Sequence, residues 1–177
     1  NDGDFSRKAI SQRVNADLSN NYGNLIQRIF SFVKKNCNSI ILNDFKLNNE
    51  DKEILKNSIH FYNRYLDHMN NEHIDKALKE IFDLLSETNI YVDKQEPWSL
   101  KKTNIERMNV VLSVAAELIK RCTILLYPII PSSCEKVFSI MQIDKKHINF
   151  NYFDKLPKNK IKIKDPFPIF PRIESND

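Results

Sequence analysis

The sequence predicts an all-α fold, an antiparallel bundle of about five helices followed by an extended C-terminal tail. Three observations lead there. The 177 residues hold only two glycines, Gly3 and Gly23, too few for a sheet-rich fold with many tight turns. Leu, Ile, Lys and Glu are abundant, as in helical proteins. Above all, apolar residues recur in steps of three and four over long stretches, the period of a helix with one buried stripe.

The first predicted helix covers residues 6–36, with Ile10, Val14, Leu18, Tyr22, Leu25, Ile29, Phe32 and Val33 as its stripe. Beside it runs a polar row, Asp17, Asn21, Asn24 and Arg28, on one flank because residues three and four apart are neighbours. Gly23 falls inside this helix at a cost of up to about 1 kcal/mol against Ala. A glycine there points to close approach by another backbone or a ligand, or to drift. Residues 38–49 form a connector with an apolar patch, Ile40, Ile41 and Leu42. A second helix is expected over 49–69, with Ile54, Ile59, Tyr62 and Leu66 inward. The third begins near His73, carries Ile74, Ala77, Leu78, Ile81, Leu85 and Tyr91, and ends at Pro97. The fourth, over 103–127, holds Val110, Val111, Val114, Ala115, Leu118, Ile119, Ile124 and Leu125 and is expected at the bundle centre. Pro128 and Pro131 end it, and Ser132 or Ser133 is expected to cap a fifth helix through Ile140.

The bundle is thus assigned to residues 1–141 and the tail to 142–177. In the tail, Lys145, Lys146, Lys155, Lys158, Lys160, Lys162 and Lys164 alternate with isolated apolar residues, and Pro166, Pro168 and Pro171 stiffen the end. Phe167, Ile169, Phe170 and Ile173 are too apolar for a solvated segment, so the tail is expected to pack along the bundle or against a domain outside this chain.

Several function classes are excluded. Two glycines cannot build a Gly-rich phosphate loop or a dinucleotide fingerprint. Cys37, Cys122 and Cys134 are odd in number and lack metal-site spacing, which fits a reduced, cytoplasmic setting. His60, His68, His73 and His147 form no HExxH motif, so neither a metal nor a catalytic residue is expected. No apolar run approaches the roughly 18 residues of a membrane span. The N-terminus has neither an initiator Met nor a signal-peptide pattern, and the chain reads as a piece of a longer protein. A formal charge of +4 permits an RNA partner without requiring one.

The one tryptophan, Trp98, follows Pro97 where the third helix stops. Proline pushes the preceding residue, Glu96, out of helical geometry, so the ring projects from a corner. It is either a stacking platform for an unpaired base or a core or capping residue. In an up-down bundle the ends of the first and third helices lie together, which places Asn24, Arg28 and Trp98 near one another.

These residues also resemble a family. Residues 15–28, NADLSNNYGNLIQR, are similar to the helix that opens the anticodon-binding domain of bacterial methionyl-tRNA synthetases, as is the lead-in DGDF at 2–5. Residues 90–98, IYVDKQEPW, resemble the segment carrying that family's anticodon tryptophan, and LYPIIP at 126–131 and FPRIE at 170–174 resemble later landmarks. The resemblance implies a class I synthetase anticodon-binding bundle that recognises the anticodon CAU through Asn24, Arg28 and Trp98, with Pro97 orienting the indole. The family often has Ala before that proline; here Glu96 sets a carboxylate beside the site and is expected to turn outward or to pair with Lys101 or Lys102. Asn21, Lys101, Lys102 and Arg107 are further candidate RNA contacts, the last three toward phosphates. The implied partners are the anticodon stem-loop of methionine tRNA and an upstream catalytic domain of the same polypeptide, with neither membrane nor DNA involved. ATP and methionine would bind that upstream domain, so no cofactor is expected in this one. The competing reading is a helical protein-interaction bundle with a structural tryptophan.

Overall fold

The structure, a computed structural model, describes residues 6–43 and 46–173. The lead-in at 2–5 and Glu174 lie outside the described residues. The chain runs through α1 (Arg7–Arg13), a π-helical segment (Val14–Gly23), α2 (Asn24–Asn36), β1 (Ile40–Ile41), α3 (Asn49–Asn70), α4 (Ile74–Gln95), α5 (Pro97–Thr103), α6 (Ile105–Leu126) and α7 (Pro131–Met141). Two short 3-10 turns, Lys145–His147 and Phe150–Tyr152, and β2 (Ile161–Lys162) follow. The fold is all-α; among the described residues the sheet is a two-stranded antiparallel ribbon of β1 and β2.

Helix α6 is the axis of the bundle, buried at every position from 110 to 126. A helix this apolar on all sides must be enclosed, and α2, α3, α4 and α7 enclose it. Its polar side chains are paired inside. Arg121 donates to Ser58 Oγ at 2.6 Å and to the Leu55 carbonyl at 3.0 Å, tying α6 to α3. Glu117 Oε1 receives Arg121 at 2.8 Å and Lys120 at 2.9 Å, while Lys120 also donates to the Lys155 carbonyl in the tail at 2.8 Å. Burial raises the Glu117 carboxyl above its ordinary pKa despite these two cations.

Some expectations about individual elements are corrected. On α3 the expected inward residues do face the core, Ile54 buried and Ile59, Tyr62 and Leu66 half-buried against it, but the buried face also takes in Asp51, Leu55, Ser58, Phe61 and Tyr65, because α3 packs against α4 and α6 at once. Tyr65 is fixed there by its hydroxyl, which donates to the Leu125 carbonyl at 3.1 Å. Ile74 is 46 % exposed, at the first residue of α4. Residues 97–103, expected as a connector and the start of the next helix, form the separate helix α5. Helix α7 has no serine cap: Ile130 precedes it and Pro131 occupies its first turn, where a missing N–H costs nothing.

The run over residues 7–36 is helical as expected, but its middle is wound as a π-helix. Gly23 closes that segment. A Cβ there would lie 3.0 Å from the Leu18 carbonyl oxygen and 3.6 Å from Phe170 Cβ. The glycine therefore meets both its own backbone and the returning tail. The tail is stitched to this segment residue by residue. Asn15 donates to the Ile173 carbonyl at 2.9 Å and accepts its N–H at 2.8 Å. Arg172 Nε donates to Asn20 Oδ1 at 3.1 Å, and the Phe170 ring lies 6.1 Å from Tyr22. Phe153, Ile163 and Ile169 are buried against the bundle.

Candidate nucleic-acid interface

The first helical run, from the π-helical segment into α2, lies alongside α4 and then α5 and points the same way as α4. Asn89 Nδ2 donates to Asn21 Oδ1 at 2.8 Å, Asn21 Nδ2 to Ser86 Oγ at 3.3 Å, Arg28 Nη2 to Asp93 Oδ1 at 2.7 Å, and Lys101 Nζ to Asn36 Oδ1 at 2.7 Å. Residue numbers rise together along these rungs, as the parallel alignment of first and third helices in an up-down bundle requires.

Helix α4 stops at Gln95. Glu96 takes a left-handed conformation, φ 44° and ψ 62°, and caps both α4 at its C-terminus and α5 at its N-terminus. That conformation costs a residue other than glycine about 1–2 kcal/mol. Pro97 is buried in the first turn of α5, where its fixed φ suits the helix. The side chain of Glu96 is exposed, turned outward, and pairs with neither Lys101 nor Lys102. The corner delivers Trp98 to the flank of α2. The indole is 42 % exposed, and the guanidinium carbon of Arg28 stands 5.5 Å from its ring centroid, within cation–π range. Arg28 is thus held between Asp93 and Trp98, with its Nε buried and unpartnered.

Asn24 lies one turn before Arg28 on the same flank, exposed, and its amide has no partner among the described residues. Asn21 is half-buried and engaged by Asn89 and Ser86, so it acts as a rung between helices. Lys101 and Lys102 are exposed at the end of α5. Arg107 is a correction. Its guanidinium grips the fully buried Asp51, with Nη2 2.8 Å from Oδ1, and donates to Gln95 Oε1 at 2.6 Å. Those donors are used inside the bundle and are not open to a phosphate. Burial opposes ionisation of Asp51, but Arg107, the Tyr91 hydroxyl and the backbone at Asn48 hold its carboxyl below the ordinary pKa. The sequence reading missed Asp93 and Asn89; the polar row Ser86, Asn89, Asp93 on α4, at helical spacing, was the available signal.

The site thus offers a half-exposed indole, a guanidinium over its face and a free carboxamide beside them. Among the described residues, no group of three or more His, Cys, Asp or Glu is placed to hold a metal, and no helix is long and apolar enough to cross a membrane. Residues 44–176 match the family described as the anticodon binding domain of methionyl tRNA ligase.

The chain belongs to that family.

Similarity to its relatives extends over nearly the whole chain. The methionine–tRNA ligase of Rhizobium meliloti is 34 % identical over 97 % of this chain, and that of Rickettsia felis 34 % over 99 %; the chain spans 34 % and 35 % of them. Among solved structures, methionyl-tRNA synthetase of Mycobacterium tuberculosis in its free state superposes with a TM-score of 0.90 at 28 % identity, covering 96 % of this chain and 35 % of that one. The chain therefore spans about a third of the length of the relatives it matches.

Proposed function

We propose that this anticodon-binding domain reads the CAU anticodon in the stem-loop of methionine tRNA, as the cytoplasmic recognition module of a methionine–tRNA ligase. Catalysis, with its ATP and methionine, belongs to an upstream domain of the same polypeptide. The observation that carries the reading is the contact of Arg28 with the half-exposed ring of Trp98. A core tryptophan would be enclosed, and a protein-docking one would not need a charge-fixed guanidinium over its ring.

Bases in an anticodon loop can be splayed out and stacked on aromatic rings. Stacking on Trp98 supplies affinity with little selectivity, because every base has a π-face. Selectivity comes from the edges. The Asn24 amide both donates and accepts, whereas Arg28 only donates, so together they match a base edge carrying acceptors and a donor in a fixed order. Pro97 and Glu96 hold the ring at the angle that makes this possible.

The test is binding of methionine anticodon stem-loops that differ only in the anticodon. Wild-type protein should prefer CAU, and Asn24→Ala should narrow the preference more than it lowers affinity. Equal affinity for all anticodons would refute the proposal. The chain by itself should catalyse no methionine-dependent pyrophosphate exchange with ATP.

A further inference from the structure

The tail lysines acquire a defined position once the chain folds. Residues 158–164 read KNKIKIK. Along an extended strand alternate side chains face opposite ways. Ile163 is buried and Ile161 half-buried, so Lys160, Lys162 and Lys164 share the outer face. Strand β2 carries them to the C-terminal end of α2. Lys162 is the Cα partner of Ile40, Ile163 N–H donates to the Ser39 carbonyl at 2.8 Å, and Asp165 pairs with Lys34 at 2.8 Å.

Other cations meet there. Lys35 is exposed on α2 seven residues after Arg28, and so on the same flank two turns further along. Lys101 reaches Asn36 at 2.7 Å, and Lys102 is exposed next to it. Lys35, Lys102, Lys160 and Lys162 have no ion-pair partner among the described residues. From Arg28 to Asn36 is about 12 Å at 1.5 Å per residue. The path from the indole to the ribbon therefore suits a few nucleotides of extended strand.

We infer that the β1–β2 ribbon is a phosphate track: Lys160 and Lys162, with Lys35 leading to them, bind the backbone of the anticodon-loop strand that leaves the base stacked on Trp98. This rests on the proposed anticodon reading. A nucleic-acid backbone is the partner favoured because lysines without an ion-pair partner stand both on the flank of α2 that carries Arg28 and on the ribbon at the C-terminal end of that helix. Phosphate contacts of this kind add affinity without reading sequence.

The experiment uses the protein at its full natural length and compares wild type, Lys160→Gln/Lys162→Gln and Trp98→Ala. Binding of the CAU stem-loop is measured across a salt series. For single strands, each phosphate neutralised contributes about 0.7 to the slope of log affinity against log salt. The double variant should bind several-fold more weakly, by the same factor for CAU and for altered anticodons. Its slope should be shallower by about one to one and a half. Its melting temperature should not change. An unchanged affinity and slope, with Trp98→Ala still losing binding, would overturn the track and leave the anticodon reading standing. If Trp98→Ala binds normally while the lysine variant is weakened, the anticodon reading fails, and a track that starts from a base on that ring fails with it. Loss of binding to an acidic polypeptide or to anionic vesicles, with RNA binding intact, would also overturn it.

Discussion

Trp98 is held open by the residues on either side of it in space. Pro97 sits buried beneath the corner, Glu96 bends the chain, and Arg28 covers part of the ring from α2. Little of the indole supports the core, so truncation should separate binding from folding. Trp98→Ala is expected to weaken stem-loop binding by about 1–3 kcal/mol, or roughly 5- to 150-fold in Kd. Calorimetry should find its melting temperature within a few degrees of wild type; a large drop would restore the structural reading of the tryptophan. Trp98→Phe should retain part of the affinity, because a smaller π-face still stacks. Asp93 fixes Arg28 from the other side, so Asp93→Ala should free the guanidinium and alter discrimination among anticodons more than stability. The juxtaposition of positions 24, 28 and 98 was legible in the sequence, since parallel first and third helices follow from alternation. The role of Arg107 was not, because its partner Asp51 is 56 residues away and a basic residue after the tryptophan looks locally like any phosphate contact.

At the scale of elements, the first helical run shows where periodicity stops being informative. Apolar spacing continues smoothly from Ile10 to Val33, yet the winding changes twice on the way. Hydrophobic pattern assumes one winding throughout, and the change of winding breaks the expected stripe: Ile10 is 42 % exposed and Leu18 only half-buried, while Ser19, Tyr22 and Gly23 are the buried residues of the π-helical segment. Gly23 was the visible irregularity, and the π-helical winding supplies its explanation, because a Cβ would crowd the Leu18 carbonyl at 3.0 Å while meeting Phe170 in the tail only at ordinary contact, 3.6 Å. Gly23→Ala should bring a methyl group to 3.0 Å from the Leu18 carbonyl, a backbone atom that cannot step aside. A cost of about 1–3 kcal/mol is expected, as for other overpacked sites. Limited proteolysis should then cut the tail near Phe170 faster than in wild type; equal cleavage rates would show that the tail does not depend on this contact. The short helix α5 was missed for a related reason. A helix of two turns is too brief to display a period, and only the proline at its start hinted at it.

Across the whole molecule, two buried ionic clusters fasten the helices to one another. Asp51, Arg107, Tyr91 and Gln95 join α3, α4 and α6, and Glu117, Lys120 and Arg121 join α6 to α3 and the tail. Arg107→Ala would leave the Asp51 carboxylate buried with its charge uncompensated, so unfolding should become easier by about 3–5 kcal/mol in a denaturant titration. The same pair gives stability a pH dependence. The Asp51 pKa is lower folded than unfolded, so its contribution is complete above the unfolded value of about 3.9 and is lost as pH falls through the folded one. Wild type should therefore lose stability with acid below about pH 4, and Asp51→Asn should flatten part of that fall. The bundle class was readable from composition and period. These clusters were not, since each needs partners from separate helices that only packing brings together.

The chain contains a single tryptophan, and it is the ring placed at the proposed reading face. Its emission comes from one address, with no second fluorophore of its kind in these residues to dilute the signal. An incoming nucleobase that slides over the indole should dim that glow in proportion to occupancy. The domain carries its own gauge, so affinity, kinetics and anticodon preference can all be followed optically without attaching any label.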